Sequence, residues 1–181
     1  MYIKTISVTK SIVLRQIQTS DASAIFETID TQRDYLGKWL PFVAFTHKEA
    51  DTFRFIQSMV EVSGDKREHV FVILHEGNFA GLIGFKDTDR TNQRTEIGYW
   101  LSEEMQGKGI VTQSVSRMCQ FAFEELGINR IQIKCAVGNL KSKNIPQRLN
   151  FQLEGVERDG ELLSGDQFTD LEIYSLLKRE F

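Results

Sequence analysis

The residues with the clearest chemical use lie together at Gln106-Gly107-Lys108-Gly109-Ile110-Val111-Thr112. Glycines at two positions let the backbone come close to a ligand. The next turn opens a helix. Its first amides lack partners and its dipole end is positive, a combination that attracts phosphate. The chemistry on offer is a pyrophosphate cradle. Two known phosphate motifs are excluded. A P-loop requires GxxxxGK[ST], and Lys108 is followed by Gly109. A dinucleotide fingerprint requires a third glycine where Thr112 stands. What remains is Gln-x-x-Gly-x-Val between a strand and a helix.

Periodicity identifies the elements that position this turn. Before it, Ile97, Tyr99 and Leu101 alternate with Glu96, Gly98 and Trp100, as in a strand. After it, Val111, Val115, Met118, Ala122 and Leu126 form one apolar stripe at helical spacing. Gly127 closes that helix. From Arg130 to Val137, Ile131, Ile133, Cys135 and Val137 then alternate on one face. Strand, helix and strand in this order make a crossover, so the Glu96 and Arg130 strands should be parallel neighbours. Glu96 opens the central strand and is a candidate general base, or else a strand-end surface carboxylate. Glu161, after Asp159-Gly160, is its rival. His47, His69 and His75 have no ligand spacing with each other or with the cysteines, so no metal is expected. No GxSxG element supports a serine nucleophile.

The remaining chain supplies a sheet and its covering helices. A first strand is expected near Ile12–Gln16, and a helix from Ala22 to about Asp34. Arg33 to Phe45 is dense in aromatics and broken by Gly37 and Pro41. It reads either as a packing corner or as the wall of a substrate groove. Thr46 and Glu49 have the spacing of a capping box for a second helix, ending at Ser63-Gly64-Asp65. Val70–Leu74 and Phe79–Lys86 form a hairpin about Glu76-Gly77-Asn78. Asp87 to Gln93 turns the chain into the Glu96 strand, completing an antiparallel meander. A short helix is expected over Ser142–Leu149, then strands at Phe151–Arg158 and Phe168–Leu177 with a turn at Asp159-Gly160. The fold class is α/β (α+β): a mixed, mostly antiparallel sheet with one parallel crossover, flanked by helices. Residues 1–181 read as one domain.

Composition limits the partners. Hydrophobic residues make up 41% and charged residues 26%, as in a globular protein. The net charge is −3 and no basic stripe appears, so nucleic acid is not expected as a partner. No stretch approaches the ~18 apolar residues of a membrane span, and no secretory leader pattern is present. Two cysteines without CxxC spacing argue for a reducing, cytoplasmic setting. The oligomeric state is not set by any of this, and a homo-oligomer is compatible with it.

Taken in order, these segments resemble the GNAT superfamily of acyl-CoA-dependent N-acyltransferases. Its signature, Gln/Arg-x-x-Gly-x-Gly/Ala, is matched at Gln106 and Gly109 and missed at Val111. A second family segment, Asn-x-x-Ser followed by a short helix, Gly-Phe and Glu-Gly, is matched at Asn139, Ser142, Phe151 and Glu154-Gly155. Asn150 stands in for the glycine. That position ends a helix and calls for a left-handed backbone, which asparagine tolerates best after glycine. Tyr35-Leu36 and Trp39-Leu40-Pro41 look like the Rim-type branch, which acetylates ribosomal-protein N-termini. The likeness spans nearly the whole chain.

The resemblance implies acetyl-CoA as co-substrate, held by Gln106 to Thr112 and by Asn139, Ser142 and Asn144. It implies backbone contacts from Tyr99, Trp100 and Leu101 to the pantetheine and thioester, beside a strand bulge that Gly98 would suit. Pro146 stands where many members carry a tyrosine that protonates the departing thiolate. In the Rim-type branch a serine takes that role, here Ser142, which is equally readable as a helix cap. Glu161 resembles a carboxylate that the branch uses near the acceptor. Val111 would narrow the cradle if it faced the pyrophosphate, and is harmless if it joins the helix stripe. An N-terminal amine has a pKa of about 7.7–8.0 against about 10.4 for lysine, so it needs only a modest base. The expected reaction is direct acetyl transfer to a protein or peptide N-terminus. Small amines such as polyamines, amino acids or aminoglycosides are the alternative acceptors, and a non-catalytic acyl-CoA-binding module is the alternative class.

Overall fold

Among the described residues, alternation and helical spacing resolve into eight strands and five α-helices around one sheet. A computed structural model describes residues 4–61 and 69–181. The strands are β1 Thr5–Ser7, β2 Ile12–Gln16, β3 Val70–His75, β4 Asn78–Asp89, β5 Arg94–Leu101, β6 Arg130–Ala136, β7 Gln152–Leu163 and β8 Gln167–Leu177. The helices are α1 Ala22–Thr31, α2 Arg33–Leu36, α3 Glu49–Glu61, α4 Ile110–Glu125 and α5 Leu140–Arg148. The sheet order is β1-β2-β3-β4-β5-β6-β8-β7. Every neighbouring pair is antiparallel except β5 with β6. This is the mixed sheet with one parallel crossover that the sequence led us to expect.

The two sheet faces bury separate cores. On one, α4 lays Val111, Val115, Met118 and Ala122 against Ile97, Ile131 and Ile133. On the other, Ile25 and Ile29 of α1 and Ile56 of α3 cover Val72, Leu82 and Trp100. Alternation along β5 therefore sends Tyr99 and Leu101 to the α4 face, and Glu96, Gly98 and Trp100 to the opposite one.

Several local expectations are corrected. A short strand, β1, precedes the one taken as first. The helix expected to reach Asp34 breaks at Gln32 (φ −126°, ψ 30°). The Gln32 side chain donates to Ser102 Oγ at 2.9 Å and accepts the Glu103 amide at 2.9 Å, tying α1 to the end of β5. The Thr46–Glu49 capping box does not form. Thr46 Oγ1 donates to Phe42 O, and Asp51 in the first turn of α3 accepts the amides of His47 and Lys48. The expected helix end at Ser63-Gly64-Asp65 lies outside the described residues. Asp159-Gly160 is no chain reversal. β7 runs through it with a register shift between Glu157 and Glu161, and the chain reverses only between Leu163 and Gln167. Gly98 sits in regular register opposite Gly84. The irregularity is in β4, between Lys86 and Asp89. Asn150 does adopt the left-handed backbone expected of it (φ 59°).

Phe121 lies at the centre of the α4 core. It is fully buried, edge-on to Phe71 at 6.2 Å between ring centroids and stacked on Phe85 at 6.1 Å. Phe121→Ala should lower stability by about 3–5 kcal/mol, the range for large aromatic truncations in well-packed cores. Denaturant unfolding followed by circular dichroism measures it. A loss below about 1 kcal/mol would mean that the site collapses around the cavity.

Candidate active site

The site begins where β5 and β6 part. Their parallel pairing lasts for three residues, Arg94 to Glu96 against Arg130 to Gln132. Beyond these, β5 continues on β4 and β6 on β8, leaving a wedge between them. Ser102 donates its amide to Ala80 at 2.8 Å, so the alternate residues Trp100 and Gly98 also bond toward β4. The amides of Tyr99 and Leu101 then point into the wedge. The Trp100 amide, expected to share that task, does not.

A cleft of about 730 Å³ opens from the wedge, lined by Tyr99 and Leu101 from the α4 side and by Trp100 and Leu36 from the other. It runs between the glycine turn, α5 and the corner around Tyr35 to Leu40. Gly107 (φ 73°) and Gly109 (φ 71°) both hold left-handed backbone, which explains two glycines so close together. Gly109 is the N-cap of α4 and makes no side-chain capping bond. The amides of Ile110, Val111 and Thr112, all lining the cleft, thus have no helical partner. Val111 is 8% exposed and packs in the core stripe, the harmless direction. Gln106 bridges the mouth: its amide nitrogen contacts the Tyr35 hydroxyl, and its Oε1 accepts from Lys141 Nζ at 2.5 Å. The Lys108 side chain is turned away onto Met105 Sδ at 3.6 Å and does not line the cleft.

Asn139, Ser142 and Asn144 all line the cleft. Asn139, not Ser142, is the N-cap of α5. Its Oδ1 accepts the Ser142 amide at 3.2 Å. Ser142 Oγ is therefore free of capping duty. It lies 3.3 Å from the Tyr99 hydroxyl and 3.4 Å from Cys135 Sγ. Pro146 has no amide to give to the Ser142 carbonyl one turn back. The Tyr99 hydroxyl donates to that carbonyl at 3.2 Å instead. Burial raises the Tyr99 phenol far above its ordinary range, so it keeps the proton it donates. Burial also pushes the Cys135 thiol up to about 11, against hydrogen bonds from Ser142 and Tyr99 that lower it.

The two carboxylates stand apart from the cleft. Glu96 is 3% exposed and both its oxygens are engaged. Oε1 pairs with Lys86 Nζ at 2.7 Å and Oε2 accepts from Gln132 at 3.0 Å. Glu96 and Gln132 are also the last paired residues before the strands part. Glu161 is half-buried. Burial raises its pKa, Lys86 opposes the rise and Glu96 adds to it, which brings all three groups into one electrostatic cluster. Among the described residues, no three His, Cys, Asp or Glu side chains form a group able to hold a metal.

A family model described as an acetyltransferase (GNAT) domain matches residues 11–152. The chain belongs to that family. The match includes the glycine turn, the crossover and α5, and stops before Glu161. The inferred ribosomal N-acetyltransferase YdaF of Bacillus subtilis (strain 168) is 39% identical over 98% of this chain and 97% of its own length. The ribosomal-protein-serine acetyltransferase of Escherichia coli (strain K12) is 29% identical over 95% and 96%. The solved structure of RimL, a ribosomal-protein alpha-N-acetyltransferase in complex with coenzyme A, superposes with a TM-score of 0.91. It is 26% identical and covers 96% of this chain and 98% of its own. No helix among the described residues is long and apolar enough to cross a membrane.

For this GNAT chain, sequence reasoning missed the Tyr99 hydroxyl, the Tyr35–Gln106 bridge and two cations, Lys141 and Arg148. The cations were findable. Lys141, Asn144 and Arg148 fall three and four residues apart, which is one helix face. The Tyr99 contact carries a test. Tyr99→Phe leaves the Ser142 carbonyl without its donor and should cost about 1–3 kcal/mol of stability. In a Pro146→Ala background the new amide can satisfy that carbonyl, and Tyr99→Phe should cost clearly less. A double-mutant cycle by denaturant unfolding reads the coupling. Equal costs in both backgrounds would show that Tyr99 does not replace the missing amide.

Proposed function

We propose that the protein transfers an acetyl group from acetyl-CoA to the α-amine of a protein N-terminus, directly and in the cytoplasm. The observation that carries this reading is the wedge. A cleft fit for the donor opens at the wedge, and a carboxylate cluster lies at the wedge apex. The cleft residues fit acetyl-CoA: free amides at the α4 N-terminus for a diphosphate, Asn139 and Asn144 for amide groups, and no carboxylate in the lining among the described residues. When bound, acetyl-CoA supplies the thioester that the amine attacks. Two relatives with ribosomal-protein names, each matching nearly the whole chain, support a protein acceptor over a small amine.

The chain's own groups divide the work. The Tyr99 and Leu101 amides stand in the wedge as fixed donors for a developing oxyanion. Ser142 Oγ, relieved of capping by Asn139, carries a hydroxyl proton for the departing thiolate. Glu161 accepts the proton of the incoming ammonium. Its half-exposed position suits this better than that of Glu96, whose oxygens are both taken. Glu96 positions Lys86 and adds to the burial that raises the Glu161 pKa. Cys135, protonated through the neutral range, is a poor nucleophile, which favours transfer without an acyl-enzyme.

Incubation with acetyl-CoA and a panel of peptides and amines, read by mass spectrometry, tests the reaction. Acetylation at peptide α-amines is expected, and none on any peptide would overturn the acceptor assignment. Glu161→Gln should lower kcat by about a hundredfold or more, the usual scale for losing a general base, with the KM for acetyl-CoA little changed. Activity should rise with pH as Glu161 loses its proton, with that limb displaced above the ordinary glutamate range. The limb should vanish in Glu161→Gln. If Glu161→Gln keeps full kcat, the base assignment is wrong.

A further inference from the structure

The charges around the cleft are one-sided. This chain carries a net charge of −3, yet among the described residues no aspartate or glutamate lines the cleft, while Lys141 and Arg148 do. Both project from the same face of α5, with Asn144 between them. Elsewhere on that helix the pattern is the opposite. Lys143 is paired with Glu172 at 2.8 Å. Lys141 touches only neutral partners, Gln106 and the Tyr35 ring. Arg148 has no hydrogen-bond or ion-pair partner among the described residues. A cation left unpaired at a cleft wall, in an acidic protein, is placed for an anion from outside.

The spacing says that one anion is not enough. Lys141 reaches Gln106 at the head of the glycine turn, the end of the cleft where the α4 amides are free. Arg148 lies seven residues on, about 10 Å further along the helix axis. A diphosphate held at the α4 N-terminus and Lys141 leaves Arg148 facing another part of the ligand. Coenzyme A carries a second, separate anion, the 3′-phosphate monoester on its ribose.

We propose that Arg148 binds this 3′-phosphate and makes the cleft selective for coenzyme A over its 3′-dephospho form. Lys141 serves the diphosphate and gives no such selectivity. A guanidinium offers paired donors that match phosphate oxygens, which a helix-terminal lysine would not reproduce equally well. The inference rests on acyl-CoA as the ligand of the cleft. The bland alternative is that Arg148 merely complements the C-terminal dipole of α5.

Titration calorimetry of the intact protein with coenzyme A and with 3′-dephospho-coenzyme A separates these. The unmodified protein should bind coenzyme A about tenfold or more tighter than the dephospho form, as expected for losing one charge-assisted contact. Arg148→Ala should remove that preference by weakening coenzyme A alone. Arg148→Lys should keep part of it. Lys141→Ala should weaken both ligands alike and leave their ratio unchanged, and Lys143→Ala should change neither. Arg148 is exposed, so the variants should fold, and circular dichroism checks this. Equal binding of both ligands by the unmodified protein overturns the inference, as does a preference that survives Arg148→Ala. Binding of neither ligand overturns it together with the acyl-CoA reading.

Discussion

Everything else in the site depends on two parallel strands ceasing to pair. Three residues of β5 and β6 are in register, and then each strand follows its other neighbour. A sheet interior normally leaves no unpaired amide. Here the split leaves the Tyr99 and Leu101 amides facing open space, in a strand otherwise anchored along its whole length to β4. They are therefore rigid donors without an internal partner. The crossover through α4 makes the split possible, because the helix sets the distance between the strands while its N-terminus closes the cleft below. One topological feature thus supplies a gap, its donors and an anion-binding end.

The site also separates charge. The cleft is lined by cations and amides. Glu96, Glu161 and Lys86 share one cluster at the wedge apex. Within the cluster, burial works against the Lys86 charge, but Glu96, Glu161 and Asp87 together raise the Lys86 pKa. The pair of Lys86 and Glu96 is a fixed element. Glu161 has no side-chain hydrogen bond among the described residues, and burial pushes its pKa up.

Features fixed by short-range physics were legible in the sequence. The β5–α4–β6 crossover followed from a change of period from 2 to 3.6 and back. The positive φ at Gly107 and Gly109, and at Asn150, followed from which residues tolerate that backbone. The Val111 direction followed from its spacing to Val115. Features fixed by tertiary partners were not legible. Thr46 and Glu49 had the spacing of a cap, but Asp51 was better placed for the same amides. Asp159-Gly160 had turn residues, yet the β8 partner, through Asp170, holds Asp159 in a bulge. Glu96 read either as a base or as a strand-end surface carboxylate, and a sequence does not show Lys86 and Gln132 closing on it.

Pro146 shows how such non-local partners resolve a local conflict. In a helix of nine residues, a proline at the seventh position removes an amide and leaves the Ser142 carbonyl exposed to the cleft wall. Left alone, that carbonyl would be a local defect next to the thioester end of the site. Tyr99 arrives from β5 and occupies it. Its single hydrogen is then committed to the carbonyl, so toward Ser142 Oγ the phenol can only accept. Cys135 on the other side is a protonated thiol and a weak donor. The Ser142 hydroxyl is thus the group in this trio whose proton has no stronger claim on it. The carbonyl that Pro146 leaves without an amide is the one that the Tyr99 hydroxyl meets, and the same hydroxyl lies 3.3 Å from Ser142 Oγ.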